Sequence, residues 1–129
     1  MSILGGIFGK RNKAEETRPV PWRMLDSMEQ IDEIISDSEE KLVAIFKHST
    51  RCGTSRMALR AFESGFEADP EKAEVWFLDL LAHRAISEEV AARFQVVHQS
   101  PQLILVKKGK TLDHFSHYKI TASALMQYL

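Results

Sequence analysis

The sequence contains a single cysteine, Cys52, among its 129 residues. One thiol cannot form an internal disulfide, and it cannot supply the two or more thiolates that zinc ribbons and most iron–sulfur sites take from one chain. A disulfide-stabilised secreted scaffold and a single-chain thiolate metal site are therefore excluded. Any thiol exchange at Cys52 needs a second thiol from outside the chain.

Long apolar runs and a large net charge are also lacking. No apolar run approaches the 18 residues that a membrane-spanning helix needs, and the first residues lack the pattern of a secretion signal. The formal net charge is -1, which argues against nucleic-acid binding because that function needs a basic surface. No histidine pair has the spacing of helical metal ligands beside a carboxylate. We therefore expect a cytoplasmic protein that has no metal site and binds neither a membrane nor nucleic acid.

The length and the apolar content of 44% fit one domain of ordinary size. Residues 1–21 differ from the rest, since they contain three glycines, two prolines and six charged residues. This composition predicts a flexible N-terminal tail over residues 1–21 and a folded domain over residues 22–129.

Strand-like and helix-like patterns alternate along the domain. The predicted elements are an extended segment at 21–25, a helix opened by a Ser27/Gln30 capping box, a strand at 42–46, a helix after Cys52 that includes Phe66, a strand at 75–78, a helix capped by Ser87 that ends near Phe94, strands at 102–106 and 111–115 joined by a turn at 108–110, and a helix from Thr121 to Leu129. Alternating strands and helices make the early strands parallel, and the late hairpin adds an antiparallel pair. The order βαβαβαββα predicts an α/β, thioredoxin-like fold with a mixed central sheet of four to five strands flanked by helices.

Cys52 lies where the strand at 42–46 gives way to a helix, so that unpaired backbone N–H groups and the helix dipole favour its thiolate form. Residues 41–62 contain five Lys and Arg side chains and no Asp or Glu. The rest of the predicted domain contains 8 basic and 16 acidic residues. A lone cysteine is commonly a small core residue, but polar neighbours in a positive field favour a reactive thiol that attracts anions.

The neighbours of Cys52 supply the other candidate residues. Ser55 stands where a C-x-x-C oxidoreductase has its second cysteine, and it is either a hydrogen-bond donor to the thiolate or an ordinary residue of the first helical turn. Ser100 and Pro101 precede a strand, and in a thioredoxin-like fold a cis proline faces the cysteine, so we predict a cis bond there. The residues expected to stabilise the thiolate or bind a thiol ligand are Arg51, Gly53, Thr54, Ser55, Arg56, Ser100 and Pro101, with Lys47 and His48 as further candidates.

The segments FKHSTRCGTS at 46–55 and RAISEEVAARFQVVHQSPQLILVKKGK at 84–110 resemble the YtxJ-type monothiol bacilliredoxins, bacterial proteins that act on the low-molecular-weight thiol bacillithiol. The resemblance implies that Cys52 removes bacillithiol from S-bacillithiolated client proteins through a mixed disulfide. Bacillithiol is then a co-substrate, no cofactor is tightly bound, and a second bacillithiol or a disulfide reductase regenerates the thiol. Bacillithiol has a malate moiety, whose carboxylates Arg51, Arg56 and Lys47 suit. Gly53 departs from the C-P-x-S sequence that is more frequent in the family.

Two alternatives remain open. C-G-T-S followed by S-P-Q-L is also similar to the C-G-F-S monothiol glutaredoxins, which hold a [2Fe–2S] cluster between two subunits. The sequence VKKGKTLDH departs from that family, because it replaces the glycine pair and aspartate that usually follow the proline strand. The third interpretation is a noncatalytic adaptor with a thioredoxin fold.

Overall fold

The structure is a computed structural model that describes residues 20–129. The predicted tail lies outside the described residues except for Val20 and Pro21, and Val20 packs against the core. The elements are β1 (Arg23–Met24), α1 (Glu29–Asp37), β2 (Leu42–His48), α2 (Gly53–Gly65), β3 (Ala73–Asp79), α3 (Arg84–Phe94), β4 (Gln102–Lys107), β5 (Lys110–Ser116), a 3₁₀ turn (His117–Lys119) and α4 (Ala122–Met126).

The strands form one mixed sheet in the order β1-β3-β2-β4-β5. Strands β1, β3 and β2 are parallel, whereas β4 is antiparallel to β2 and β5 is antiparallel to β4. The α/β architecture with parallel early strands and a late hairpin is therefore confirmed. None of the helices described is long and apolar enough to cross a membrane.

Side chains of β2 alternate between two hydrophobic cores because successive residues of a strand point to opposite faces of the sheet. Val43 and Ile45 pack with α1 and α3 on one face. Ala44 and Phe46 pack with α2 and α4 on the other. Every residue of β2 is buried, as expected for a strand covered on both faces. The strand continues two residues past its predicted end, so that Lys47 and His48 extend the alternation.

The start of α3 differs from its prediction. Ser87 is not the N-cap; the helix begins at Arg84, and Ser87 is a buried residue within it. The cause is a turn built by Asp79, whose side chain accepts hydrogen bonds from the backbone N–H groups of Leu81 and Ala82 while its carbonyl accepts one from His83. This turn brings the chain into helical geometry four residues early, since the N-cap is His83 instead of Ser87, and it places Ser87 on the inner side of α3.

The other helix ends follow their capping residues more closely. Thr121 Oγ1 accepts a hydrogen bond from Ala124 N, which confirms the predicted cap of α4. That helix ends at Met126, although the prediction carried it to Leu129. Only half of the predicted capping box forms, since Gln30 Oε1 accepts from Ser27 N while the serine side chain does not cap α1. Helix α2 ends at Gly65, so Phe66 follows it.

The hairpin between β4 and β5 has a two-residue turn, Lys108-Gly109, and Lys110 already belongs to β5. Both turn residues have positive φ angles, 55° and 76°. Positive φ at both positions is the geometry of the type I′ turn, which matches the twist of paired strands. The turn is anchored to the end of α1, because Ser38 accepts hydrogen bonds from Lys108 N at its carbonyl and from Gly109 N at its hydroxyl.

Candidate active site

Cys52 is the N-cap of α2, and it follows β2 by only four residues. Its backbone is extended, with φ -107° and ψ 121°, while Gly53 begins the helix. Cys52 N donates to the carbonyl of Ser49 at 3.1 Å, and the carbonyl of Cys52 accepts from Arg56 N at 3.1 Å. The side chain is partly exposed and makes no capping hydrogen bond. The thiol is thus held at the helix start and is accessible to another sulfur.

Ser55 is fully buried and hydrogen-bonded to residues that precede the thiol. Its hydroxyl oxygen accepts a hydrogen bond from Ser49 N at 3.0 Å and lies 2.8 Å from Nδ1 of His48. No hydrogen bond joins it to the Cys52 side chain in the part of the chain that the structure describes. Ser55 therefore ties the first turn of α2 to the end of β2, which fixes the loop that carries the cysteine.

His48 is buried beside aromatic rings. Its ring centroid lies 5.3 Å from that of Phe77 and 6.2 Å from that of Phe46. Burial lowers the pKa of His48, and the charge of nearby Arg56 lowers it further against the opposing charge of Asp79. His48 is consequently neutral at pH 7, so it acts as a hydrogen-bond partner of Ser55 rather than as a positive charge beside the thiol.

Two arginines flank the thiol on the surface. Arg56 Nη1 donates to the carbonyl of Thr50 at 3.2 Å, so its guanidinium spans the loop that contains Cys52. A Cβ atom built on Gly53 would lie 3.8 Å from Arg56 Nη2. Arg51 is exposed in the same loop, and Thr54 is partly exposed in the first turn of α2. Arg51, Gly53, Thr54 and Arg56 are therefore brought together around Cys52.

Lys47 lies on the other face of the sheet. Its side chain is fully buried, and Nζ donates to the carbonyl of Ser87 at 3.0 Å and lies 3.2 Å from Nδ1 of His98. Burial lowers the pKa of Lys47 to about 8. Lys47 points to the face of the sheet that α3 covers, because alternate residues of a strand share a face and Lys47 follows Val43 and Ile45. It is therefore separated from Arg51 and Arg56, with which it was predicted to bind a ligand.

The segment before β4 approaches the end of β2. Gln102 pairs with Lys47 in the antiparallel register, so Pro101 and Ser100 extend towards the chain that leads to Cys52. The peptide bond between Ser100 and Pro101 is cis. Ser100 is partly exposed, whereas Pro101 is buried.

Two residues that shape this region, Gln102 and Ser49, are not among the predicted site residues. The fully buried Gln102 donates from Nε2 to the carbonyl of Val97, and its Oε1 accepts from Gln99 N, so it holds the loop before Pro101. The sequence did contain a signal for Gln102, since it is the one polar residue in the otherwise apolar run Gln102–Val106. Ser49 had no comparable signal, because its contribution is a backbone N–H.

The site combines an accessible thiol, a helix start and two surface guanidinium groups. Thiolates rather than thiols attack disulfides, and the guanidinium groups attract an anionic partner to the thiol. A single cysteine completes one exchange and stops at a mixed disulfide. The arrangement is suited to monothiol exchange with an anionic partner.

The family comparison decides the class of protein. Residues 23–125 match the family described as "Monothiol bacilliredoxin BrxC". The chain belongs to the monothiol bacilliredoxin family. The match covers every strand within residues 20–129 and most of α4, and the single thiol of the sequence agrees with the monothiol description. The family and its fold establish a thiol redox role.

Solved structures support the same fold. An oxidoreductase candidate with a thioredoxin fold is 29% identical, with a TM-score of 0.68, and the match covers 81% of this chain and 89% of that one. A thioredoxin of Malassezia sympodialis is 20% identical, with a TM-score of 0.65 and coverages of 88% and 90%. A thioredoxin of Fasciola hepatica is 24% identical, with a TM-score of 0.60 and coverages of 82% and 94%. The predicted thioredoxin-like fold is confirmed.

Proposed function

We propose that this bacilliredoxin removes bacillithiol from S-bacillithiolated proteins in the cytoplasm, as the sequence resemblance implied. The observation that carries the proposal is the accessible Cys52 at the start of α2 in a chain with no second thiol. Such a thiol can accept a small thiol group from another protein but cannot resolve the resulting disulfide internally.

The first step is an exchange of one disulfide for another. The Cys52 thiolate attacks the bacillithiol sulfur of the client's mixed disulfide, a new sulfur–sulfur bond forms, and the bond to the client breaks. The client thiolate leaves and takes a proton from solvent, so the total number of disulfides is unchanged. Attack by the thiolate of a second bacillithiol then frees Cys52 and releases bacillithiol disulfide, which a separate disulfide reductase reduces.

Residues around Cys52 have distinct roles in this proposal. The guanidinium groups of Arg51 and Arg56 bind carboxylates of the malate moiety, since arginine pairs with carboxylates through paired N–H donors. The free N–H groups of Gly53 and Thr54 stabilise the attacking and leaving thiolates. Ser100 offers its backbone N–H and carbonyl groups to the extended thiol ligand. Pro101, which has no N–H and whose carbonyl accepts from His117 N, contributes its ring beside that ligand. Ser55 acts indirectly, because its hydrogen bonds hold the loop that carries the thiol.

The test is intact-mass measurement after mixing the protein with a bacillithiolated client. The expected product is one bacillithiol adduct on Cys52 together with a free client thiol. Cys52→Ser is the matched control and should leave the client modified. A parallel client modified with glutathione measures the preference for the small thiol. An unmodified protein beside an unchanged client would show that the proposed activity is wrong.

The alternatives predict other results. A glutaredoxin-like cluster carrier would form a coloured dimer with a charge-transfer spectrum after anaerobic reconstitution with iron and sulfide. A noncatalytic adaptor would retain its cellular activity in the Cys52→Ser variant. Either result would replace the exchange reaction as the proposed function.

A further inference from the structure

A cavity of about 280 Å³ lies between α3 and the segment before Pro101. This volume is near the small end of the range for ligand pockets, roughly 300–1,000 Å³. The cavity is separate from the arginine-flanked surface around Cys52. Its lining residues are Leu80, Arg84, Ser87, Glu88, Ala91 and His98.

The buried ammonium group of Lys47 lies behind this lining. Its hydrogen bonds go to the carbonyl of Ser87 and to Nδ1 of His98, which both line the cavity. Lys47 forms no ion pair within residues 20–129. A buried charge is normally paired with an opposite charge. The positive charge of Lys47 is therefore uncompensated at the base of a cavity that is open to solvent.

The side chains that line the cavity present mainly hydrogen-bond donors. An ammonium group only donates, so Nδ1 of His98 must accept, and the proton of the neutral ring is on Nε2. Arg84 adds the donors of an exposed guanidinium group. Glu88 is the one carboxylate in the lining, and it is exposed, so solvent weakens its charge. Donors and positive charge thus predominate.

We propose that this cavity is a second ligand site that binds a small carboxylate anion. Arg84 and His98 Nε2 supply the hydrogen-bond donors, and Lys47 supplies the positive charge from below. The anion need not displace the Lys47 side chain, because Lys47 acts through His98 and through its field. Binding of a carboxylate in itself does not rest on the proposed de-bacillithiolation.

The cavity lies at the same edge of the sheet as the thiol. Leu80, in its lining, donates from N to the carbonyl of His48 at 3.0 Å, and His48 ends the strand that leads to Cys52. The carboxylate therefore has two sources. It is either a free dicarboxylate or the malate moiety of bacillithiol joined to Cys52, which would then lie in this cavity and not against Arg51 and Arg56. Only the second source rests on the proposed function.

The test is a titration of the full-length protein with sodium L-malate, followed by amide and histidine signals in NMR spectra. Sodium chloride at matched ionic strength is the reference. We expect saturable shifts in residues 84–91 and 96–98. Burial and the charge of Lys47 lower the pKa of His98 in the free protein, and a bound carboxylate should raise it. Malate shifts that merely equal those from chloride would overturn the proposal.

Variants separate the site from general charge attraction. Arg84→Gln removes an exposed guanidinium and should weaken malate binding about tenfold, the usual effect of losing a charged hydrogen bond. Lys47→Met should weaken it as well, so that at an equal malate concentration the malate-induced rise in the His98 pKa is smaller than in the wild type. Arg60→Gln removes one exposed charge from α2, outside the cavity, and should bind as the wild type does. Equal losses in all three variants would contradict a specific site, and thermal unfolding confirms that each variant is folded.

A second arm identifies the source of the carboxylate. Free malate is titrated into protein whose Cys52 already carries bacillithiol. Loss of free-malate binding would support the site with the malate moiety of the adduct as its occupant. Unchanged binding would support the site with a free dicarboxylate as its ligand. Failure of de-bacillithiolation alone would leave the binding result of the unmodified protein intact, so the two proposals fail separately.

Discussion

Ser55 occupies the position of a resolving cysteine, yet its hydroxyl serves the backbone and a histidine. It accepts from Ser49 N and meets Nδ1 of His48 in a fully buried setting. A cysteine at this position would make weaker hydrogen bonds with Ser49 N and His48 than the serine does, because sulfur is a poor acceptor. With serine at position 55, the protein cannot resolve a mixed disulfide internally, but the loop that carries Cys52 is firmly held.

We predict that Ser55→Ala lowers the free energy of unfolding by about 1–3 kcal/mol. The substitution leaves two buried polar groups, Ser49 N and His48 Nδ1, without a partner, and that is the usual cost. Urea denaturation measures it. Ser64→Ala is the control, because Ser64 is an exposed serine of the same helix, and its loss should stay below about 0.5 kcal/mol. Equal losses in the two variants would contradict the structural role of Ser55.

Lys47 gives the stability a specific pH dependence. Burial lowers its pKa to about 8 from the usual 10.5, so the unfolded chain binds more protons between these values and stability rises with pH across that window. The Lys47→Met variant has no titrating group at this position, so its stability lacks this pH dependence. The wild type should therefore gain about 2 kcal/mol relative to Lys47→Met between pH 7 and pH 9.5. Urea denaturation of both proteins across this range tests it, and a constant difference would show that Lys47 is not desolvated.

At the scale of elements, the start of α2 can accommodate a proline in place of Gly53. Gly53 is the first helical residue, where a proline loses no intrahelical hydrogen bond. Cys52 has the extended backbone that residues before proline prefer, with φ -107° and ψ 121°. The glycine therefore has no conformational requirement that proline would violate.

We predict that Gly53→Pro raises the free energy of unfolding by about 0.5–1 kcal/mol, because proline restricts the unfolded chain. Denaturant titration measures this gain, and alkylation of Cys52 reports that the thiol stays accessible. Ala61→Pro, in the middle of the same helix, is the contrasting variant and should cost about 3 kcal/mol or more. A destabilised Gly53→Pro protein would contradict the described helix start.

The β4–β5 hairpin depends on its glycine for backbone reasons alone. Gly109 has φ +76°, and a Cβ there would meet Ile35 at an ordinary 3.6 Å. Gly109→Ala should therefore cost about 1–2 kcal/mol from the left-handed conformation. Lys108→Asn should instead stabilise the turn by a few tenths of a kcal/mol, since asparagine favours positive φ. Thermal unfolding distinguishes the two, and a neutral Gly109→Ala would contradict the type I′ turn.

The sequence predicted the elements and the thiol more completely than it predicted the far face of the sheet. Strand periodicity and the Thr121 cap are local signals, and they located β2 and α4. The early start of α3 was missed because a side chain, Asp79, builds the preceding turn. The approach of Lys47 to His98 joins residues 51 positions apart, and no local pattern encodes such a contact.

For the whole molecule, the distribution of charge matters more than its total. The net charge is -1, but the five cations of residues 41–62 lie in a stretch without acids. Arg51 and Arg56 are at the edge of the sheet that carries Cys52. Lys41 lies just before β2 and so at the opposite edge, with Lys72, whose carbonyl accepts from Leu42 N. Seven strand residues separate these edges by about 20 Å, which is beyond the screening length of about 8 Å at physiological salt.

The position of Arg51 and Arg56 beside the thiol predicts that the reaction of Cys52 with anions depends on salt. The rate with an anionic aromatic disulfide, dithiobis(nitrobenzoate), should fall about three- to tenfold between low and high salt, because screening removes the attraction by nearby arginines. The neutral disulfide dithiodipyridine should react at a nearly constant rate. The Arg51→Gln/Arg56→Gln double variant should lose most of the salt dependence, whereas Lys41→Gln/Lys72→Gln, with the same change in net charge, should keep it. Stopped-flow absorbance measures all four cases. Equal salt dependence in the two double variants would mean that total charge, rather than the arginines beside the thiol, attracts the anionic substrate.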